Sequence, residues 1–93
     1  MPQQLIVKAR FQRAYDGLST IEQEAVKKSL RMLHAYLETR QAPLGLGLKT
    51  LGAGVYEFRA GLALRGVYVE EGSVLALALL GSHDDVRRFL KHS

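Results

Sequence analysis

The apolar positions of the chain fall first into strand spacing, then helical spacing, then strand spacing again. Leu5-Ile6-Val7 is a short apolar run rich in β-branched residues and predicts a brief first strand. Phe11, Ala14, Tyr15 and Leu18 then recur at i, i+3, i+4 and i+7, which predicts a helix whose end Gly17 weakens. Ser19 is followed three residues later by Glu22, the signature of a capping box in which each side chain satisfies a free backbone N–H. A second helix therefore starts there. Val26, Leu30, Leu33 and Leu37 carry its apolar stripe, widened by Ile21, Ala25 and Met32, and it fades near Arg40, before Pro43. Glu24 and Lys28 stand four apart on its wet face in the favourable order. The two helices form an αα-hairpin.

Pro43, Gly45, Gly47, Gly52 and Gly54 punctuate the next stretch, with Lys49 and Thr50 among them, and it reads as a loop. Val55 to Ala60 alternates with period two, so Tyr56 and Phe58 share one face while Val55, Glu57 and Arg59 take the other. Leu62 to Val69 reads as a further strand with Arg65, Val67 and Val69 on a common face, and Glu70-Glu71-Gly72-Ser73 as a turn. Val74 to Leu80 is apolar throughout, the mark of a strand buried on both faces and hence central in its sheet. His83 to Lys91 predicts a short terminal helix carrying Val86, Phe89 and Leu90. Asp84 and Asp85 lie in its first turn and Arg87, Arg88 and Lys91 towards its end, the order that suits the helix dipole. The expected fold class is α+β, a compact β-α-α-β-β-β-α domain over residues 1–93. Its helical hairpin packs on one face of a small, mainly antiparallel sheet.

Composition narrows the setting. A chain of 93 residues makes one small domain with a thin margin of stability, and 47% hydrophobic residues supply one core. With no cysteine there is neither a disulfide nor a thiolate metal site, which agrees with a reducing cytosol. Met1-Pro2-Gln3-Gln4 shows no secretory pattern, and the apolar run Val74 to Leu80 is too short to cross a bilayer. A soluble, cytoplasmic protein without a membrane partner is expected. The net charge is +4, yet the basic residues are spread evenly: seven against four acidic over 1–48, six against five over 49–93. Charge alone favours a polyanion partner only slightly over plain solubility.

Three motifs behind the capped hairpin resemble the RelE/ParE toxin superfamily. Val55-Tyr56-Glu57-Phe58-Arg59 is similar to that family's Tyr-Glu-Leu-Arg strand, preceded here as there by a basic, glycine-containing connector. Leu64-Arg65-Gly66-Val67-Tyr68 resembles the next strand with two substitutions, and Gly81-Ser82-His83-Asp84-Asp85-Val86 the end of the last strand. Each motif alone is weak; their order over nearly the whole chain is more specific.

Arg59 and Arg65 stand at motif positions on adjacent strands. Paired guanidiniums grip phosphate oxygens in a fork and stay charged, so they suit a phosphodiester and the extra charge of its phosphorane. Surface ion pairs with Glu57 or Glu70 are the plainer alternative. His83 is the acid–base candidate, since an imidazole titrates near neutrality and can take a proton from a ribose 2′-hydroxyl; the alternative is a histidine that caps the helix or edges the core. Lys49 is a candidate contact to RNA phosphate or a solvated loop lysine. Tyr68 is a candidate to stack on a base, or core. Arg87 and Arg88 are RNA or antitoxin contacts, or a wet helix face. Tyr56 and Phe58 are expected in the core, and His34 and His92 on the surface.

The resemblance implies a toxin of a type II toxin–antitoxin pair. Its activity would be cleavage of translated mRNA on the ribosome by 2′-hydroxyl attack, with catalytic His83, Arg65 and Arg59. No metal or cofactor is implied, because the nucleophile is internal to the substrate. Two departures from the family pattern keep an alternative open. Val55 and Glu57 stand where ribosome-dependent members carry lysines, and no tyrosine follows Tyr68. A ParE-like inhibitor of DNA gyrase, or an inactive antitoxin-binding member, shares the fold without the nuclease residues. An antitoxin partner is implied in every case.

Overall fold

Eight elements follow one another: β1 (Gln4–Val7), α1 (Ala9–Asp16), α2 (Thr20–Thr39), β2 (Lys49–Gly52), β3 (Val55–Arg59), β4 (Arg65–Glu71), β5 (Val74–Gly81) and α3 (His83–His92). The structure is a computed structural model, and it describes residues 4–92 apart from the His92 side chain. The readings that fall on residues 1–3 and on the His92 side chain lie outside the described residues. The five strands form one open sheet in the order β1-β5-β4-β3-β2. β1 runs parallel to β5 and every other pair is antiparallel, the mainly antiparallel sheet that the sequence implies. Among the described residues no helix is long and apolar enough to cross a membrane.

The helical hairpin forms where the pattern places it. The Ser19 hydroxyl accepts from the Glu22 N–H at 3.2 Å and the Glu22 carboxylate from the Ser19 N–H at 3.0 Å, closing the capping box. α1 stops at Gly17, so Leu18 lies beyond the helix although it still packs on the core. α2 ends at Arg40, a non-glycine in the left-handed region at φ 59°. The Arg40 guanidinium offsets that strain by lying 5.7 Å over the Tyr36 ring and donating to Glu70 at 3.3 Å. Glu24 pairs with Lys27 at 3.0 Å, three residues on, rather than with Lys28.

Two boundaries differ from the sequence reading. Lys49 to Gly52, read as loop, is the edge strand β2, paired with β3 through Lys49–Glu57 and Thr50–Tyr56. Its lysine and glycine carry little strand propensity, and the pairing comes from the two-residue turn at Ala53-Gly54 that folds it back on β3. Gly54 sits at φ +71°, and a methyl group built there would stand 2.7 Å from the Glu70 carbonyl oxygen. Gly54→Ala is therefore expected to destabilise the fold by about 1–3 kcal/mol, read as a lower urea midpoint. The second boundary is β4, which runs from Arg65 through Glu71, so only Gly72-Ser73 makes the turn into β5.

β5 is flanked by β1 and β4 and buried on both sides, as its apolar run implies. Its register slips by one residue against β4: Val67 pairs with Leu79 but Tyr68 with Leu77, so Ala78 is the extra residue of a bulge. The slip sends Leu75, Leu77 and Leu80 to one face, where they meet Phe11, Val26, Leu33, Phe58 and Tyr68 beneath the helical hairpin. Leu79 goes to the other face, with Val67 and with Val86 of α3. At about 1.5–3 kcal/mol per fully buried large apolar side chain, the hairpin side dominates stability. The α3 side has only those three buried apolar residues among the described residues, which leaves room on that face for charged groups.

Candidate functional site

The face that carries α3 also carries the charged strand residues. Period two puts Arg59, Glu57 and Val55 of β3 on it, and the register sets Arg59 directly opposite Arg65 of β4, Arg65 opposite Gly81 of β5, and Glu57 opposite Lys49 of β2. Neighbouring strands lie about 4.8 Å apart, so Arg59, Arg65 and Gly81 form one row across three strands. His83 follows two residues after Gly81 and opens α3, which folds back over Val67 and Leu79 on this same face. The register thus sets Arg59 and Arg65 side by side next to the end of β5 from which α3, with His83 as its first residue, departs. The helical hairpin packs on the opposite side and does not cover them.

Each side chain is held differently. Arg65 is half-buried; its Nη1 donates to the Leu64 carbonyl at 3.2 Å and its Nε lies 3.7 Å from a Glu57 carboxylate oxygen. Glu57 itself is only 8% exposed. The ion-pair alternative is thus realised for Arg65, and the carboxylate offsets part of its charge. Arg59 is exposed. Its backbone N–H donates to the Leu46 carbonyl at 2.7 Å, which draws the connector against the end of β3. Gly47, at φ +62°, passes so close that an added methyl would stand 3.2 Å from the Arg59 Cβ. Lys49 is exposed at the start of β2, a strand residue rather than a loop residue.

His83 is exposed and does not cap its helix. Ser82 does: its hydroxyl accepts from the Asp85 N–H at 3.1 Å, while Asp85 accepts from the Ser82 N–H at 2.8 Å. This second capping box has the Ser-x-x-acid spacing of Ser19 and Glu22, and that spacing is the signal by which the sequence reading could have found it. It fixes where α3 starts and so where His83 is presented. The arrangement needs Gly81, because a methyl there would meet the Asp85 carboxylate at 2.5 Å. Replacing Ser82 with alanine is expected to cost about 1 kcal/mol, measured by chemical denaturation.

The Ser82 hydrogen bonds, backbone first, and then Arg88 hold the Asp85 carboxyl below its ordinary value of 3.8. Its folded value being the lower one, its contribution to stability is complete above about pH 4 and disappears as pH falls through the folded value. The stability difference between the wild type and Asp85→Asn is accordingly expected to be constant near neutrality and to shrink below pH 4 in denaturation curves.

The remaining candidates separate. Arg88 donates to Asp85 and braces the cap, while Arg87 is exposed on the outer side of α3. Tyr68 is a correction. It belongs to the hairpin face, 1% exposed, stacked on Tyr56 at 5.1 Å and tilted against Phe58 at 6.2 Å. Burial pushes its hydroxyl well above the ordinary range, and its ring offers no surface to a base. Strand parity explains this: Tyr68 alternates with Val67 and so points away from the arginines. His34 is on the surface as expected, beside Glu38 at 3.1 Å. Among the described residues no group of three His, Cys, Asp or Glu is placed to hold a metal ion.

A five-stranded, mostly antiparallel sheet with a helical hairpin on one face and a terminal helix on the other is the fold of RelE/ParE-type toxins. Solved structures of such toxins match nearly the whole chain. A toxin from Helicobacter pylori, solved as a copper-bound mutant, is 19% identical with a TM-score of 0.67, covering 90% of this chain and 98% of its own. The YoeB/ParE toxin of Agrobacterium tumefaciens is 22% identical with a TM-score of 0.66, over 86% and 98%. The E. coli DinJ–YafQ toxin–antitoxin complex matches at 13% identity and a TM-score of 0.66, over 92% and 98%. At these identities the likeness is one of fold. No protein family matches the sequence, and no curated protein does.

Proposed function

We propose that this chain is the toxin of a type II toxin–antitoxin pair and an endoribonuclease that cuts translated mRNA. The observation that carries this reading is the row Arg59–Arg65–Gly81, with His83 following two residues after Gly81 as the first residue of α3. In the proposed reaction His83 takes the proton of a ribose 2′-hydroxyl, and the oxygen attacks the neighbouring phosphorus. Arg59 and Arg65 hold the phosphate oxygens and stabilise the charge of the phosphorane. The P–O5′ bond then breaks and the 5′-oxygen takes a proton from solvent water, so that one fragment ends in a 2′,3′-cyclic phosphate and the other begins with a 5′-hydroxyl, while His83 returns its proton to solvent. The substrate supplies its own nucleophile. Lys49 on the edge strand and Arg87 on α3 extend the positive border along which an RNA backbone would lie. The solved relatives that contain antitoxins support an antitoxin partner here too, and a cytoplasmic location follows from an mRNA substrate.

One observation favours a second reading. Glu57 is buried on the same face and paired with Arg65, which lowers the positive charge just where a nuclease needs it. A gyrase inhibitor has no such need. Two assays on the purified protein separate these readings: primer extension on translated mRNA and supercoiling of relaxed plasmid by gyrase. Cuts in the mRNA with unimpaired supercoiling are expected. Blocked supercoiling with intact mRNA would establish the inhibitor instead.

A further inference from the structure

The two edges of the sheet are built differently. β2, at one edge, carries the exposed Lys49, and its register shifts between Thr50 and Gly52. A lysine and a bulge are among the features by which an edge strand resists pairing with another chain. β1, at the other edge, is Gln4-Leu5-Ile6-Val7 and has neither. Its three apolar side chains stay uncovered in the single chain, Leu5 at 59%, Ile6 at 37% and Val7 at 43%.

The register on β5 determines which backbone groups β1 leaves open. The Gln4 N–H donates to the Ser73 carbonyl at 2.8 Å and the Lys8 N–H to the Leu77 carbonyl at 3.0 Å. In a parallel pair such donors alternate, so Ile6 also turns to β5. The N–H and C=O groups of Leu5 and Val7 point out from the edge, and none of them meets a partner among the described residues. Leu5 and Val7 lie beside Leu75 and Leu77 of the hairpin-side core, whereas Ile6 lies beside Ala76 and takes the α3 side. A membrane or a polyanion would leave that row of backbone groups unsatisfied; another strand satisfies it.

We propose that two copies of this chain associate through β1, antiparallel about a two-fold axis at Ile6. Leu5 of each copy then stands opposite Val7 of the other, and their outward groups exchange hydrogen bonds. Ile6 meets its own counterpart across the axis, where facing Cα atoms stand about 4.5 Å apart. Lys8 falls opposite Gln4, and the two lysines are four residues, about 13 Å, apart along the strands, so no like charges face each other. Moving the axis to Val7 would bring the lysines within two residues. A second copy supplies the same uncovered triplet, and a two-fold contact closes after one pairing. The shared edge is short, so the association is weak and depends on concentration. The axis runs perpendicular to the sheet, which leaves both α3 sides on one side of the continued sheet. This pairing rests on strand geometry and not on the toxin reading.

The test is sedimentation equilibrium of the full-length protein from about 10 μM to about 1 mM, with amide exchange followed by NMR. A monomer–dimer equilibrium that stops at two is expected. The Leu5 and Val7 amides should gain protection at high concentration only, and the Ile6 amide should be protected throughout. Val7→Pro removes an outward N–H and keeps β1 on β5, so it should abolish the dimer while the Ile6 amide stays protected. Ile6→Lys and Ile6→Glu should each lower the association constant by at least about tenfold, and mixing the two should restore the dimer. A monomer at every concentration, a dimer that Val7→Pro retains, charge variants that fail to recombine, or species larger than a dimer overturns the proposal. So does a monomer whose Leu5 and Val7 amides are protected only by an added apolar strand peptide, which would name a different occupant.

Discussion

Cleavage of translated mRNA is expected to fall by about 10²–10⁴-fold when His83 becomes alanine, with no change in the unfolding midpoint. The second half of that expectation comes from its placement. His83 is exposed at the start of α3, and the cap that holds the helix is made by Ser82 and Asp85. Removing the imidazole therefore removes a proton acceptor and little else. Primer extension reads the rate and urea denaturation the stability. A variant that cuts at the wild-type rate refutes the role of His83. Arg65 needs more care, because Arg65→Ala would leave the carboxylate of Glu57 buried without its partner, and a stranded buried charge is costly. The cleaner variant is Arg65→Gln with Glu57→Gln, which removes both charges together. Loss of about 10²–10³-fold in rate by this folded double variant assigns the effect to the guanidinium rather than to unfolding.

Gly66→Ala is expected to destabilise the protein by about 1–3 kcal/mol through overpacking. Gly66 pairs directly with Phe58 across the two strands, and the ring lies over the glycine: a methyl would stand 2.3 Å from Cζ and 2.6 Å from Cε1. The ring has nowhere to retreat, since Phe58 is fully buried against Tyr68 in the hairpin-side core. Shortening it should relieve the clash. Phe58→Leu and Gly66→Ala are expected to be less harmful together than their separate effects summed, and a double-mutant cycle by urea denaturation measures the coupling. Simple additivity would show that the ring does not oppose the methyl.

The sequence was most informative where a periodic pattern and the tertiary environment agree. The capped α2 and the fully apolar β5 could be read directly, because a buried stripe and a doubly buried strand leave their marks on composition. β2 could not, because Lys49, Thr50 and Gly52 become a strand only by being folded back on β3. For the site, alternation set Arg59 with Val55 and Glu57 on one face of its strand, and Arg65 with Val67 and Val69 on one face of the next. What alternation could not supply was their register, or which face α3 would choose. Tyr68 shows the cost: its aromatic chemistry suited a base, but its parity along β4 directs it into the core. Glu57 was visible as an acid in the motif, yet its ion pair with Arg65 depends on a diagonal across two strands that no single strand pattern encodes.

The bulge at Ala78 has a consequence for evolution as much as for shape. Side chains alternate sides along a strand, so one surplus residue in β5 inverts the orientation of everything after it. Taking Ala78 out would rotate the exit of the chain at Gly81 and launch the last helix, with its imidazole, towards the crowded side. A single codon deletion there would separate the would-be acid–base group from the guanidiniums while every other residue kept its identity.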